Sequence, residues 1–310
     1  MIKTVTLNPA IDKTVEIRDF RVGEVNRITS VRLDPGGKGI NVAKTIKALG
    51  GSSVATGFLA GRNGQFIKER LEDLDVANDF LFVRGDTRTN LKVVDRLNST
   101  NTDINEPGLI EVSEDDLRML EHNLFSDMKD GDLLVLSGSI PAGVSSGIYR
   151  EWAEKAKKIG IKVFLDADGS SFEEGIKGKP YLIKPNLEEL ERLLSRKLSS
   201  REELLSAGRC MLDMGIEIVA ISLGADGAIF FYGEQVIFAN GLKVDVKSTV
   251  GAGDAMVAAL AFAISRGDSF EKAVVLSVAS GTANVACEGT QPPSRDAVAQ
   301  YEAQVELNDL

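Results

Sequence analysis

The sequence predicts an α/β fold, a mainly parallel sheet with helices on both faces and a small β extension rising from the sheet edge. Three observations predict it. Short β-branched or apolar runs alternate with longer helical patterns over most of the 310 residues, which favours βαβ units and a parallel sheet. The chain is 43% hydrophobic, enough to bury the core of one large α/β domain or of two ordinary ones. Two stretches, 13–33 and 80–97, break the alternation and read as strands joined by turns with no helix between them. They are interleaved with the first sheet units, so they cannot form a contiguous domain of their own. The reading is one domain over 1–310 with a discontinuous β extension.

The elements follow in order. "KTVTL" leads to a helix near 40–49, and "SVATGFLA" to "QFIKERLEDL"; "DLLVLSG" precedes "IYREWAEKAKKIG", and "KVFLDAD" follows. "YLIKP" precedes "LEELERLL", then "REELLSAGRCMLDMG" leads to "IEIVAISLG". Each pair is a β-rich run followed or preceded by a segment of helical period. Ser200 and Glu203 have capping-box spacing and open the helix at "REELL". From residue 252 onward the pattern is mostly helical.

Composition excludes several classes of function. A net charge of −10 opposes non-specific binding to nucleic acid or to an anionic membrane surface. An anionic small molecule would need a local cluster of cations. No stretch reaches the roughly 18 apolar residues of a spanning helix, and "MIKTVTLNPAID" is no secretory signal, so a cytoplasmic protein is expected. Cys210 and Cys287 lie in apolar helical contexts without CxxC spacing and read as core thiols. The single histidine, His122, is read as lying on a helix surface. Ser-His-Asp, Cys-His and His-rich zinc chemistry are therefore excluded, which leaves carboxylates, cations, backbone amides and a hard metal.

Four loops fit that restriction. In "STVGAGDAM", 248–256, a helix beginning near 252 leaves the backbone N–H groups of Gly251, Ala252 and Gly253 aimed at an anion. Asp254 beside them is either a helix cap or the acceptor of a proton from an attacking hydroxyl. "DPGGKGINVAKTIKALGG", 34–51, is a second glycine-rich loop entering a helix, with Lys38 at its centre and Asn41 just beyond. It is neither a Walker A loop nor a dinucleotide fingerprint. "ISLGADGA" ends an apolar strand and can cradle a phosphate or simply turn the chain. "IKPNLEEL" sets Asn186 and Glu189 three residues apart at a helix start, facing one ligand or capping the helix.

Together with "TLNPAID", "GDTRTN" and "SGSIP", these loops occur in the order and spacing of the PfkB, ribokinase-like sugar kinases, and the chain resembles that family from about residue 1 to 290. The similarity is greatest to its 1-phosphofructokinase and tagatose-6-phosphate kinase branch. It implies a three-layer αβα sandwich with a β lid, and ATP and Mg²⁺ as phosphoryl donor and metal. It assigns Asp254 as catalytic base and Gly251, Ala252 and Gly253 as the anion hole. Lys184, Asn186, Ser222, Leu223, Gly224 and Gly227 fall on the ATP side, with Asn186 and Glu189 organising Mg²⁺ through water.

On the acceptor side the resemblance places Asp12, Gly37, Lys38, Asn41 and Ser139 around the sugar, and the lid residues Arg27, Arg88 and Asn90 near the phosphate it already carries. Clustered cations there would supply the positive field that the net charge lacks. Asp166 and Asp168 are read as supporting residues, and no monovalent cation is assigned because Ser248 stands where some relatives use an aspartate. The expected reaction is ATP-dependent phosphorylation of fructose 1-phosphate. The alternatives are a tagatose-6-phosphate kinase and a catalytically silent sensor of sugar phosphate or nucleotide. The missing GxGxxG opposes a nicotinamide oxidoreductase. Exposed lid-strand edges allow a lid-to-lid homodimer.

Overall fold

Apolar runs such as the "LLVL" of "DLLVLS" cannot face water on either side, and in a parallel sheet they do not have to. The computed structural model, which describes all 310 residues, places them in the middle of an eleven-stranded sheet. Its core runs Ile218–Ser222, Leu182–Ile183, Lys162–Asp166, Leu133–Ser137, Ile2–Thr6, Val54–Ala60 and Asn78–Asp86, every neighbouring pair parallel. Three antiparallel strands, Gly227–Tyr232, Gln235–Asn240 and Leu307–Asp309, extend one edge, and Leu109–Glu111 closes the other. Ile2–Thr6 and Leu133–Ser137 are buried at every position.

Two hydrophobic cores of comparable size, 33 and 28 buried residues, show that both sheet faces are covered. One holds Trp152 and Tyr149 of the Ile148–Ile159 helix; the other is built from the Ala-rich helices Ala252–Ser265 and Phe270–Val285. The second pair touches closely because alanines and Gly281 face Met256 and its neighbours. Ser200 and Glu203 form the expected capping box, its helix running Arg201–Asp213. Cys210 differs from expectation. That helix turns Ala207, Gly208 and Met211 to the sheet, with Gly208 against the Phe231 ring, and so leaves Cys210 exposed.

The small sheet contains Ile28–Gly36, Ala10–Ile17, Arg88–Asp95 and Thr100–Asn105, in that order. Its boundary corrects the reading of 80–97 as extension. Asn78–Asp86 follows the Gly61–Asp73 helix and pairs parallel with Val54–Ala60, as the second strand of an ordinary βαβ unit. The chain leaves the large sheet only at Thr87. That buried residue exchanges bonds with Ala60, accepting the Ala60 N–H on its hydroxyl and donating its own N–H to the Ala60 carbonyl. The first hairpin also reaches further than 13–33, because Ala10 to Asp12 already pair with Asp34 to Gly36.

Candidate active site

Five of the seven parallel strands direct their C-terminal ends at one cleft. Thr6, Ser137, Asp166 and Ser222 are the last residues of four of them, Lys184 follows a fifth, and all five line a space of about 410 Å³. Convergence of strand ends is where open α/β sheets place their ligands. The lid closes the far side with Asp12, Arg88 and Asn90.

Asp254 lies in the first turn of the Ala252–Ser265 helix, whose N-cap, Gly251, adopts a φ of 89° and offers no capping side chain. The first-turn N–H groups therefore face the cleft without a partner from within the helix. Gly253 lets Lys184 approach closely: a Cβ there would sit 2.9 Å from the mobile Lys184 Nζ. Asp254 is 7% exposed and accepts a 2.8 Å hydrogen bond from Asn41 Nδ2. Burial pushes its carboxyl up, and the neighbouring Asp166 charge pushes the same way. Lys38, Asn41 and Lys184 oppose them, leaving a pKa of about 6.

Asp166 has the opposite character. Burial alone would raise it, but Lys184 and Lys38 hold it below the ordinary carboxylate value. Their Nζ atoms lie 3.7 and 3.2 Å from its Oδ1. Burial in turn would depress Lys38, yet Asp166, Asp254, Glu189 and Asp168 outweigh it and keep the ammonium charged. One carboxylate thus joins lysines from two separate loops.

The lid register fixes the side chains that the small sheet presents to the cleft. Ala10 pairs with Arg88 and Asp12 with Asn90, which puts Asp12, Arg88 and Asn90 on one face. Asn90 Nδ2 donates to Asp12 Oδ1 at 3.1 Å, and the Asp12 carboxylate lies on Gly36, where a Cβ would come within 2.2 Å of Oδ2. Arg88 donates to the carbonyls of Glu106 and Asn8 at 3.0 and 3.3 Å, and Asn8 Nδ2 reaches Ser139 Oγ at 3.3 Å. Buried polar atoms without any protein partner concentrate here: Asn41 Oδ1, Arg88 Nε, Asn90 Oδ1, Ser137 Oγ and Asp166 Oδ2 all belong to cleft-lining residues. Such a set suits a polar, hydroxyl-bearing ligand.

On the opposite side, Asn186 and Glu189 form a reciprocal capping box at 2.8 Å in each direction, so the capping reading holds, and both still line the cleft. A β-bridge from Asn186 to Ser222 brings the "SLGADG" loop beside them. Nowhere are three or more His, Cys, Asp or Glu side chains gathered closely enough to hold a metal ion unaided.

The cleft brings together Gly251, Gly253, Asp254, Asp12, Gly37, Lys38, Asn41, Arg88, Asn90, Ser139, Lys184, Asn186, Glu189 and Ser222. It does not bring in the rest. Arg27 is exposed on the lid turn before Ile28–Gly36 and lies outside the lining. Ala252, Leu223, Gly224 and Gly227 are also outside it. Gly227 has a sheet requirement of its own, since a Cβ would stand 2.1 Å from the Ala239 carbonyl. Seven residues outside the sequence-derived set also line the cleft: Thr6, Asn8, Ser137, Gly138, Val250, Asp166 and the exposed Asp168 on its rim. An aspartate ending an apolar strand was the available signal for Asp166.

Comparison with known proteins identifies the family. The model of the pfkB family of carbohydrate kinases matches residues 5–297. The chain is 38% identical over 288 residues to a 1-phosphofructokinase of Bacillus subtilis, covering 93% of each. It is 35% identical over 284 residues to a 1-phosphofructokinase of Borreliella burgdorferi, covering 91% of each. The crystal structure of phosphofructokinase-2 from Escherichia coli in complex with substrates and products superposes with a TM-score of 0.94 at 31% identity, covering 98% of each chain.

Proposed function

The chain belongs to the pfkB family of carbohydrate kinases, and from that premise we propose that it transfers the γ-phosphoryl group of ATP to a ketohexose monophosphate, fructose 1-phosphate giving fructose 1,6-bisphosphate. One observation carries this reading. A buried carboxylate poised near pH 6 stands at an unpartnered helix N-terminus, with Lys38 and Lys184 on either side of the shared Asp166. In the proposed step the 6-hydroxyl oxygen bonds to the γ-phosphorus as the bond to the ADP oxygen breaks, and the hydroxyl proton passes to Asp254. Phosphoryl transfer needs positioning and charge stabilisation more than covalent help. Gly251, Ala252 and Gly253 would offer amides to the moving phosphoryl group, and the two lysines would offset its charge. When bound with the nucleotide, Mg²⁺ would neutralise the phosphates, with Asn186 and Glu189 facing it through water. The chemistry of the donor set fits, because no all-protein metal cage exists and phosphate oxygens with water must complete the shell.

Asp12 and Asn90 would fix ring hydroxyls, and Arg88, with its unpaired Nε, the phosphate the acceptor already carries. The Ser222 to Gly227 loop and Lys184 would hold ATP. We further propose a cytoplasmic enzyme that pairs lid to lid. The lid face opposite Asp12 exposes Val31, Leu33 and Ile104, an apolar patch that a second lid would cover. An ADP-release assay against free sugars and sugar phosphates tests the reaction. Fructose 1-phosphate should exceed tagatose 6-phosphate in kcat/KM by about tenfold or more, since one misplaced hydroxyl costs roughly 1.4 kcal/mol. The reverse order would move the assignment to tagatose 6-phosphate, and activity only on unphosphorylated sugars would remove the role given to Arg88.

A further inference from the structure

Lys44 is a charge that the mechanism above does not use. It lies on the Lys38–Ala48 helix, is 3% exposed, and forms no ion pair. Its Nζ donates instead to two backbone carbonyls, that of Pro35 at 2.7 Å and that of Thr290 at 2.9 Å. Burying an ammonium without a contacting carboxylate is costly, so its retention asks for a reason.

Both carbonyls lie at joints. Pro35 is near the end of the Ile28–Gly36 strand, where the lid returns to the body, and the next residue is the glycine on which the Asp12 carboxylate rests. Thr290 follows the Phe270–Val285 helix and lines, with Asp12, Asn90 and Val250, the cavity between the lid's inner face and the body. One ammonium therefore joins the acceptor-loop helix, the lid root and the segment after the last core helix.

We propose that Lys44 is a positioning residue for the acceptor: its ammonium pins the lid root to the 288–291 segment and so holds the Gly36 backbone that seats Asp12. The inference rests on the sugar-phosphate kinase reading above. Its charge is shared among Asp12 and Asp34 on the lid and Asp254 on the Ala252–Ser265 helix. Glu288 in the adjoining segment is engaged by Arg32, which also binds Asp34, and Lys38 on the same helix is engaged by Asp166. Burial lowers the Lys44 pKa to about 8 against the pull of those three aspartates. The pin is charged below that pH and weakens above it.

The experiment compares the parent with Lys44→Met and Lys44→Arg, measuring KM for the sugar phosphate and for ATP from about pH 7 to about pH 9.5. The parent's acceptor KM should rise several-fold with pH while its ATP KM stays flat. Lys44→Met should raise the acceptor KM roughly tenfold and remove its pH dependence, the scale of one lost charge-assisted contact. Lys44→Arg, which stays charged, should show no alkaline rise. Equal effects on both KM values, or an acceptor KM unchanged in Lys44→Met, would overturn the proposal. If Lys44→Met does not fold, an alkaline rise in Lys44→Arg matching the parent's would do so. Amide exchange at Gly36–Gly37 and Gly289–Thr290, faster in a folded variant without any substrate, tests the pin even if the parent uses a different acceptor, and unchanged exchange would refute it.

Discussion

Asp166 and Asp254 line the same cleft, both almost fully buried, one at a strand end and one at a helix start, and their acidities are driven apart. Asp166 has two lysine Nζ atoms within 4 Å and stays ionised below the ordinary range. Asp254 has one amide hydrogen bond and the Asp166 charge nearby, and rises to about 6. The difference teaches that contacting cations, with burial common to both, drive the two carboxylates apart, which suits Asp254 to the proton-accepting role proposed for it. A raised carboxylate also lets the proposed proton transfer do without histidine, of which the chain has one.

The strongest way to break this contrast is to remove basicity from Asp254 alone. Asp254→Asn keeps size and polarity, and turnover should fall by roughly a hundredfold or more with ATP affinity within a few-fold of the parent. A folded variant with near-parent turnover, measured by ADP release, would make Asp254 a helix cap. Next in size is Arg88, which sharpens the division between acceptor and nucleotide sides. Arg88→Ala should raise KM for the sugar phosphate by about tenfold or more, the loss of a contact worth roughly 1.5–3 kcal/mol. KM for ATP should hardly move, and equal effects would indicate general lid damage.

The smallest effect concerns stability. The Asp254 pKa is higher in the folded than in the unfolded chain, so the native state binds the extra proton between the ordinary value near 3.8 and about 6. Parent stability should therefore fall as pH rises through that window and level off above it, relative to Asp254→Asn. The asparagine variant should melt a few degrees above the parent at about pH 8, and that difference should shrink towards about pH 4. A constant difference at all pH values would assign it to packing.

Much of this architecture is readable in the residues themselves. Fully apolar strand runs specify a parallel sheet, and glycines before Lys38 and Asp254 mark the two helix starts that meet at the hydrogen bond from Asn41 to Asp254. What could not be read depended on distant pairing. "FLFVRGD" has the same local character whether it joins the lid or the large sheet, and only its register with Val54–Ala60 decides. Lys44 occupies a helical position that a solvated lysine would fill equally well, and its burial follows from Thr290, 246 residues away. Asp166 looked like a supporting residue because Lys38 and Lys184, which give it meaning, lie in separate loops. Arg27 shows the converse, a cation beside the right motifs that the lid turn leaves outside the cleft.

The central claim, that the Asp166 charge adds to burial in raising the Asp254 pKa while Lys38 and Lys184 oppose both, is tested most directly by the pH dependence of kcat/KM in the parent and in Asp166→Asn. This ratio reports ionisations of the free enzyme. The parent should lose activity below about pH 6, the value Asp254 holds in the cleft. In Asp166→Asn a like charge is gone and Lys38 and Lys184 are left to Asp254, so its carboxyl must become more acidic. The acid limb of the remaining activity should then move to lower pH. A limb that stays in place or moves up would contradict the account.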